Sequence, residues 1–167
     1  NRGYTFKEYE QKIDMLRSLI PEIAITSDFI VGFPQESDED FRETLRAIES
    51  IKFDGVFAFK YSKRPFTKAL NMDGHVDESI KAERLMELLK LQDSITLKKN
   101  KALEGEVVEV LLEGRSSTDS EKLTGRTRSN KIVHFFPKGG ENIGDLLNIR
   151  IIEARHHHLY GEIIYED

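Results

Sequence analysis

The chain has 167 residues, 38% of them hydrophobic and 33% charged, enough for one medium domain or two small ones, with no apolar run near the roughly 20 residues a membrane-spanning helix needs. It contains no cysteine, which excludes disulfides, thiolate nucleophiles and cysteine-ligated metal within these residues. The formal net charge of −5 argues against a general nucleic-acid binder, and the charge-studded first twenty residues do not read as a secretory signal, so a cytoplasmic location is the default expectation.

Thr5-Phe6-Lys7-Glu8 fits a capping box, and Tyr9, Ile13, Leu16 and Ile20 follow at helical spacing until Pro21. Residues 23–33 read as a strand, continuously apolar through Phe29-Ile30-Val31 and stopped by Gly32-Phe33-Pro34. A strand apolar on both faces and set between helices predicts a parallel sheet. Ser37 caps a second helix, with Asp38, Glu39 and Asp40 in the first turn to complement its dipole and a stripe of Phe41, Leu45 and Ile48. Residues 53–61 read as a second buried strand. Helix, strand, helix, strand is a βα-repeat pattern. Two strands complete neither a barrel nor a doubly wound sheet, and the chain opens on Asn1 in the run-up to a helix, so a piece of a longer α/β protein is expected.

Residues 63–77 read as loop. A helix from about 78 to 103, with Leu85, Leu88, Leu89, Gln92 and Ile95 on one side, reads as a connector. From Gly105 the apolar period becomes two. Val108, Val110 and Leu112 alternate, Gly114-Arg115-Ser116-Ser117 reads as a turn, and strands are predicted over 123–136, 146–152 and 159–165. This pattern predicts a small antiparallel β-barrel of the oligonucleotide-binding kind. The expected organisation is α/β plus all-β: residues 1–77 the end of a (βα) barrel, 78–102 a connecting helix, and 103–167 the small barrel.

Charge is uneven. Residues 103–167 hold 8 basic and 12 acidic side chains, yet two windows, 60–68 and 122–131, are basic and free of acid. Local patches decide where a phosphate backbone docks, although a basic window on a loop is more often just a solvated loop. Gly32 stands at the C-terminal end of a buried strand, where parallel α/β folds bind ligands, and a glycine there permits close approach. Asp28 shares its face with Ile30 and Gly32, and an acid in an apolar strand requires a partner or a ligand donor. If the second strand runs parallel, Ser62 and Arg64 at its end face the same cavity, Arg64 as a forked donor for carboxylate or phosphate. Read alone, a plain structural turn with a hydrogen-bonded Asp28 is the better account of these residues. His156-His157-His158 reads as a run on one strand, whose alternating faces keep three successive side chains from one ion.

Taken together, NRGYT before a helix, TSDFIVGFPQESDEDF and FDGVFAFKYSKRPFTKA resemble the second half of the radical S-adenosylmethionine domain of methylthiotransferases. KLTGRTRSNKIVHF and IGDLLNIRIIEARHHHLYGEI resemble their C-terminal TRAM domain, a small RNA-binding β-barrel. Order and spacing match across essentially the whole chain. Within the family, LTGRTRSNK at 123–131 is most similar to the branch that methylthiolates the isopentenylated adenosine 3′ of the tRNA anticodon. The branch that modifies a ribosomal protein usually lacks this string, although the acidic total of the barrel would suit such a basic substrate. An RNA-binding module without catalysis is the other alternative.

The resemblance implies S-adenosylmethionine and two [4Fe–4S] clusters as cofactors of the longer protein, with radical hydrogen abstraction, sulfur from the second cluster and methyl from S-adenosylmethionine. Without cysteine neither cluster is ligated here, so the chain alone is expected to be inactive and to hold no catalytic or metal-binding residue. The resemblance places Asp28, Gly32 and Ser62 on the cofactor side of the barrel mouth, with Arg64 near cofactor or target base. It places Arg126, Arg128, Asn130 and Lys131 on the phosphates of the tRNA anticodon arm. Lys63 and Phe66 stand where the family usually has the Pro and Gly of Pro-Arg-Pro-Gly-Thr-Pro, so a different turn is expected there. No membrane partner is implied, and an open sheet edge leaves dimerisation or swapping undecided.

Overall fold

The computed structural model describes residues 3–117 and 119–165 and divides the chain into two compact units, Asn1–Ile95 and Thr96–Asp167. In the first unit, Thr5 opens α1 (Phe6–Leu19). Its hydroxyl accepts from the Glu8 N–H, and the Glu8 carboxylate accepts from the Thr5 N–H at 2.7 Å. Ser37 and Asp40 make the same reciprocal box at the start of α2 (Asp38–Ile51). Both caps satisfy N–H groups that a helix start leaves without partners.

The strands β1 (Thr26–Val31) and β2 (Gly55–Lys60) pair in parallel, with Asp28 beside Phe57 and Ile30 beside Phe59. β1 begins later than residue 23, whose N–H still closes the turn after α1 on the Ile20 carbonyl at 3.0 Å. The Ile25 N–H donates to the Asp54 carboxylate at 2.9 Å, and the Asp54 N–H donates to the Ile25 carbonyl at 2.8 Å. Phe29, Val31, Val56 and Ala58 pack on a core of Ile13, Phe41, Ile48, Ile51, Phe53 and Leu88. The opposite face is open. Ile30, Phe57 and Phe59 are 58%, 65% and 58% exposed, and Asp28 is exposed among them. The apolar pattern predicted burial on both faces; here the helices of the unit cover one face only.

A short 3-10 turn (Lys68–Asn71) leads to α3 (Glu78–Lys101). Its buried stripe takes in Leu88 and Gln92, with Leu85 and Ile95 packed against the core, whereas Leu89 is exposed. Lys81 and Arg84 extend that stripe and are 5% and 6% exposed.

The second unit is a closed barrel in the order β3-β4-β5-β7-β6: β3 (Val107–Arg115), β4 (Leu123–Thr127), β5 (Ile132–Phe135), β6 (Leu146–Ala154) and β7 (His158–Ile164). Val110, Leu112, Val133, Phe135, Ile149, Ile151, Leu159 and Ile163 fill it. Three expectations change. Gly114 and Arg115 belong to β3, which carries a bulge between Leu112 and Gly114. Residues 123–136 form two strands and a turn rather than one strand. The pairing is antiparallel except between β5 and β7, which run parallel and close the barrel. Gly125 is required at the β3–β4 contact, where a Cβ would stand 2.6 Å from Val110 Cγ1 and against the Leu111 carbonyl.

Candidate functional site

The open face of β1 and β2 gathers one carboxylate, Asp28, with the side chains of Ile30, Phe57 and Phe59. Beside it, a groove of about 700 Å³ is lined by Thr26, Asp28, Phe29, Tyr9 and Phe53 among others, and its wall does not include Gly32.

Gly32 lies just past β1, at φ +71, and it is buried. The group that comes close to it belongs to the chain itself. The aliphatic stem of Lys81 fills the space where a Cβ on Gly32 would stand. The Gly32 N–H donates to the Glu36 carboxylate, which also pairs with Arg84 at 3.2 Å. Arg84 donates further to the Glu36 carbonyl at 3.1 Å and to Asp38 at 2.7 Å. Lys81 donates to Glu78 at 2.8 Å and lies 5.4 Å from the Tyr61 ring centroid. Two nearly buried cations on α3 thus hold the loop after β1 and the end of β2 in place. Their sequence signal is faint, because Lys and Arg at helical spacing usually mark a solvated face.

At the end of β2, Ser62 and Arg64 are exposed. The Thr67 hydroxyl donates to the Arg64 carbonyl at 2.8 Å, and Phe66 takes the left-handed φ of +64 that favours glycine. The Phe66 side chain is fully exposed.

In the barrel, the expected basic string is the β4–β5 turn. The Asn130 N–H donates to the Thr127 carbonyl at 2.9 Å, and Asn130 sits at φ +63. Arg126 donates to the Asn130 side chain at 3.0 Å and pairs with Glu113 at 3.2 Å. Lys131 donates to Asn100 Oδ1 at 2.8 Å, and Asn100 in turn donates to the Arg155 and His156 carbonyls. Arg128 points outward, its side chain 83% exposed, with Glu109 at 2.7 Å. The string is thus part turn architecture and part exposed cation.

The histidine run is not one strand. His156 and His157 lie in the β6–β7 turn and only His158 is in β7. His158 joins His134 and Tyr160 in a ring cluster, with centroids 5.1–5.8 Å apart. Burial first, then neighbouring positive charge, holds both imidazoles below the ordinary value of 6.5. Among the described residues, no group of three or more His, Cys, Asp or Glu is arranged to hold a metal ion, and no helix is long and apolar enough to cross a membrane.

Comparison with known proteins gives these features a relationship. Residues 101–164 match the TRAM domain family. Over 98% of its length the chain is 52% identical to the tRNA-2-methylthio-N(6)-dimethylallyladenosine synthase of Thermodesulfovibrio yellowstonii, covering 37% of that protein. It is 51% identical over 98% of its length to the enzyme of the same name from Thermoanaerobacter pseudethanolicus, covering 35% of it, and 50% identical over its whole length to that of Syntrophus aciditrophicus, covering 36%. The chain spans little more than a third of the length of these relatives. It is therefore a homologue of the tRNA-2-methylthio-N(6)-dimethylallyladenosine synthases over that third of their length, ending in a TRAM domain.

Proposed function

We propose that this chain serves in a radical S-adenosylmethionine tRNA methylthiotransferase, contributing part of the cofactor-bearing α/β barrel and the domain that grips tRNA. In this reading residues 1–77 are barrel, 78–102 a connecting helix and 103–167 the tRNA-binding domain. The observation that carries it is the union, in one chain so similar to these enzymes, of an open-faced parallel βα unit with a closed TRAM barrel. The open face has the chemistry of a barrel interior waiting for further strands: exposed Ile30, Phe57 and Phe59 around a carboxylate.

The iron–sulfur clusters do not fit this chain's own residues, since it offers no thiolate, and no step is assigned through them. S-adenosylmethionine fits better. It supplies a methyl group and a radical precursor when bound. Asp28 would accept hydrogen bonds from it beside the Phe57 ring, and Ser62 and Arg64 would approach it from the end of β2. Gly32, with Lys81 against it, keeps the shape of the loop between them. On the barrel, Arg128 would meet phosphates of the anticodon arm directly. Arg126, Asn130 and Lys131 would present it and add their own donors.

The test is a chimera in which this chain replaces the matching third of the Thermodesulfovibrio yellowstonii protein. Methylthiolated adenosine is expected in tRNA treated with the reconstituted chimera, and none with this chain alone. Product from the chain alone would refute the division of labour. An inactive, folded chimera that still binds tRNA would leave a binding module only.

A further inference from the structure

On the outer surface of the barrel, register builds two cross-strand rows. Thr124, His134 and Tyr160 form one; Arg126, Ile132 and His158 form the other. Between and around them lies a cleft of about 320 Å³, walled by His134, His158, Tyr160, Thr124 and Arg126. That is the low end of small-ligand clefts and suits one planar heterocycle.

Two polar atoms beside this cleft lack partners. His134 Nδ1 and His158 Nε2 are shielded from solvent and make no hydrogen bond among the described residues. Such atoms are rare in folded proteins and mark this ring cluster as polar but unsatisfied. The cations nearby are already engaged: Lys122 with Asp119 at 2.9 Å, Arg126 with Glu113 at 3.2 Å, and Arg155 with Glu153 at 2.8 Å. Lys122 Nζ and the Arg155 guanidinium lie 5.2 and 5.3 Å from the Tyr160 centroid. With its cations paired, the cleft offers ring surfaces more than bare positive charge. Those are the features that hold splayed-out bases of single-stranded RNA.

We propose that this cleft receives one unpaired nucleobase of an RNA ligand, seated among the rings of His134, His158 and Tyr160. The proposal rests on the reading of the second unit as an RNA-binding domain. It adds a base-binding subsite beside the phosphate-facing β4–β5 turn.

The probe is a short single-stranded RNA carrying 2-aminopurine, compared with a duplex of the same length, on the whole chain. Binding of the single strand quenches the fluorescent base. Tyr160→Leu, which keeps apolar bulk but removes the ring face, weakens single-strand binding by about 5- to 150-fold, abolishes the quench and leaves duplex binding within about twofold. A folded Tyr160→Leu variant with wild-type affinity and quench overturns the proposal. Independently of any variant, the imidazole proton resonances of His134 and His158 shift with the single strand and not with the duplex; unmoved resonances overturn it too. A wild-type chain that binds tRNA without quenching the single strand defeats the base site alone. A chain that binds no RNA at all defeats the RNA-binding reading with it.

Discussion

The side chain of Lys81 occupies the space that a Cβ on Gly32 would need. One helix of the first unit thereby locks the loop after β1, and Gly32 is held at φ +71, where only glycine is at ease. Gly32→Ala should cost about 1–3 kcal/mol of stability from backbone strain and displacement of Lys81. In a Lys81→Ala background the same change should cost about 1 kcal/mol less, because the two residues compete for one volume. Urea unfolding of the wild type and the three variants checks this, and additive losses would dismiss the contact.

Phe66 is the opposite case, a bulky residue in a backbone conformation that glycine favours, with nothing packed on its ring. Relief of the left-handed strain, about 1–2 kcal/mol, outweighs the roughly 0.5–1 kcal/mol entropy cost of a glycine. Phe66→Gly should therefore raise stability by about 0.5–1 kcal/mol in thermal unfolding. A lower midpoint would mean that the ring makes a contact in solution.

The pH dependence follows from His134 and His158. Both are held below 6.5, first by burial, then by His158 for His134 and by Arg155 for His158. The folded state thus resists protons that the unfolded chain accepts. Stability of the barrel should fall as pH drops through 6.5 and level off below the folded values. Asp119 acts in another window. Its hydrogen bond from Lys122 lowers it from 3.8, so its contribution is lost only as pH falls below that value. A urea midpoint that is flat between pH 8 and 5, or unchanged in its slope by His134→Phe, contradicts the assignment.

Much of this arrangement was legible in the residues. Thr5 with Glu8 and Ser37 with Asp40 announced both helix starts, because capping chemistry is local. The apolar run at Phe29-Ile30-Val31 announced a parallel strand. The period-two pattern after Gly105 announced a barrel. What stayed hidden depends on distant partners. Lys81 and Arg84 carry no local sign of burial; the loop with Glu36 and the ring of Tyr61 enclose them. The turn inside 123–136 is made by Asn130 at positive φ and the Thr127 hydroxyl, without the glycine that usually signals one. The cluster of His134, His158 and Tyr160 exists only because β5 and β7 pair in parallel, a register that no local pattern encodes.

The most direct test of the account is filter binding of tRNA to this chain across a range of salt, with Arg128→Ala and Arg126→Ala beside the wild type. Arg128 is the most exposed cation of the β4–β5 turn, and Arg126 supports that turn through Asn130. The account predicts salt-dependent binding whose log–log slope becomes shallower by about 1 for Arg128→Ala, with affinity lowered for any tRNA sequence and also lowered in Arg126→Ala. A wild-type chain that does not bind tRNA, or two variants with unchanged affinity and slope, would contradict it.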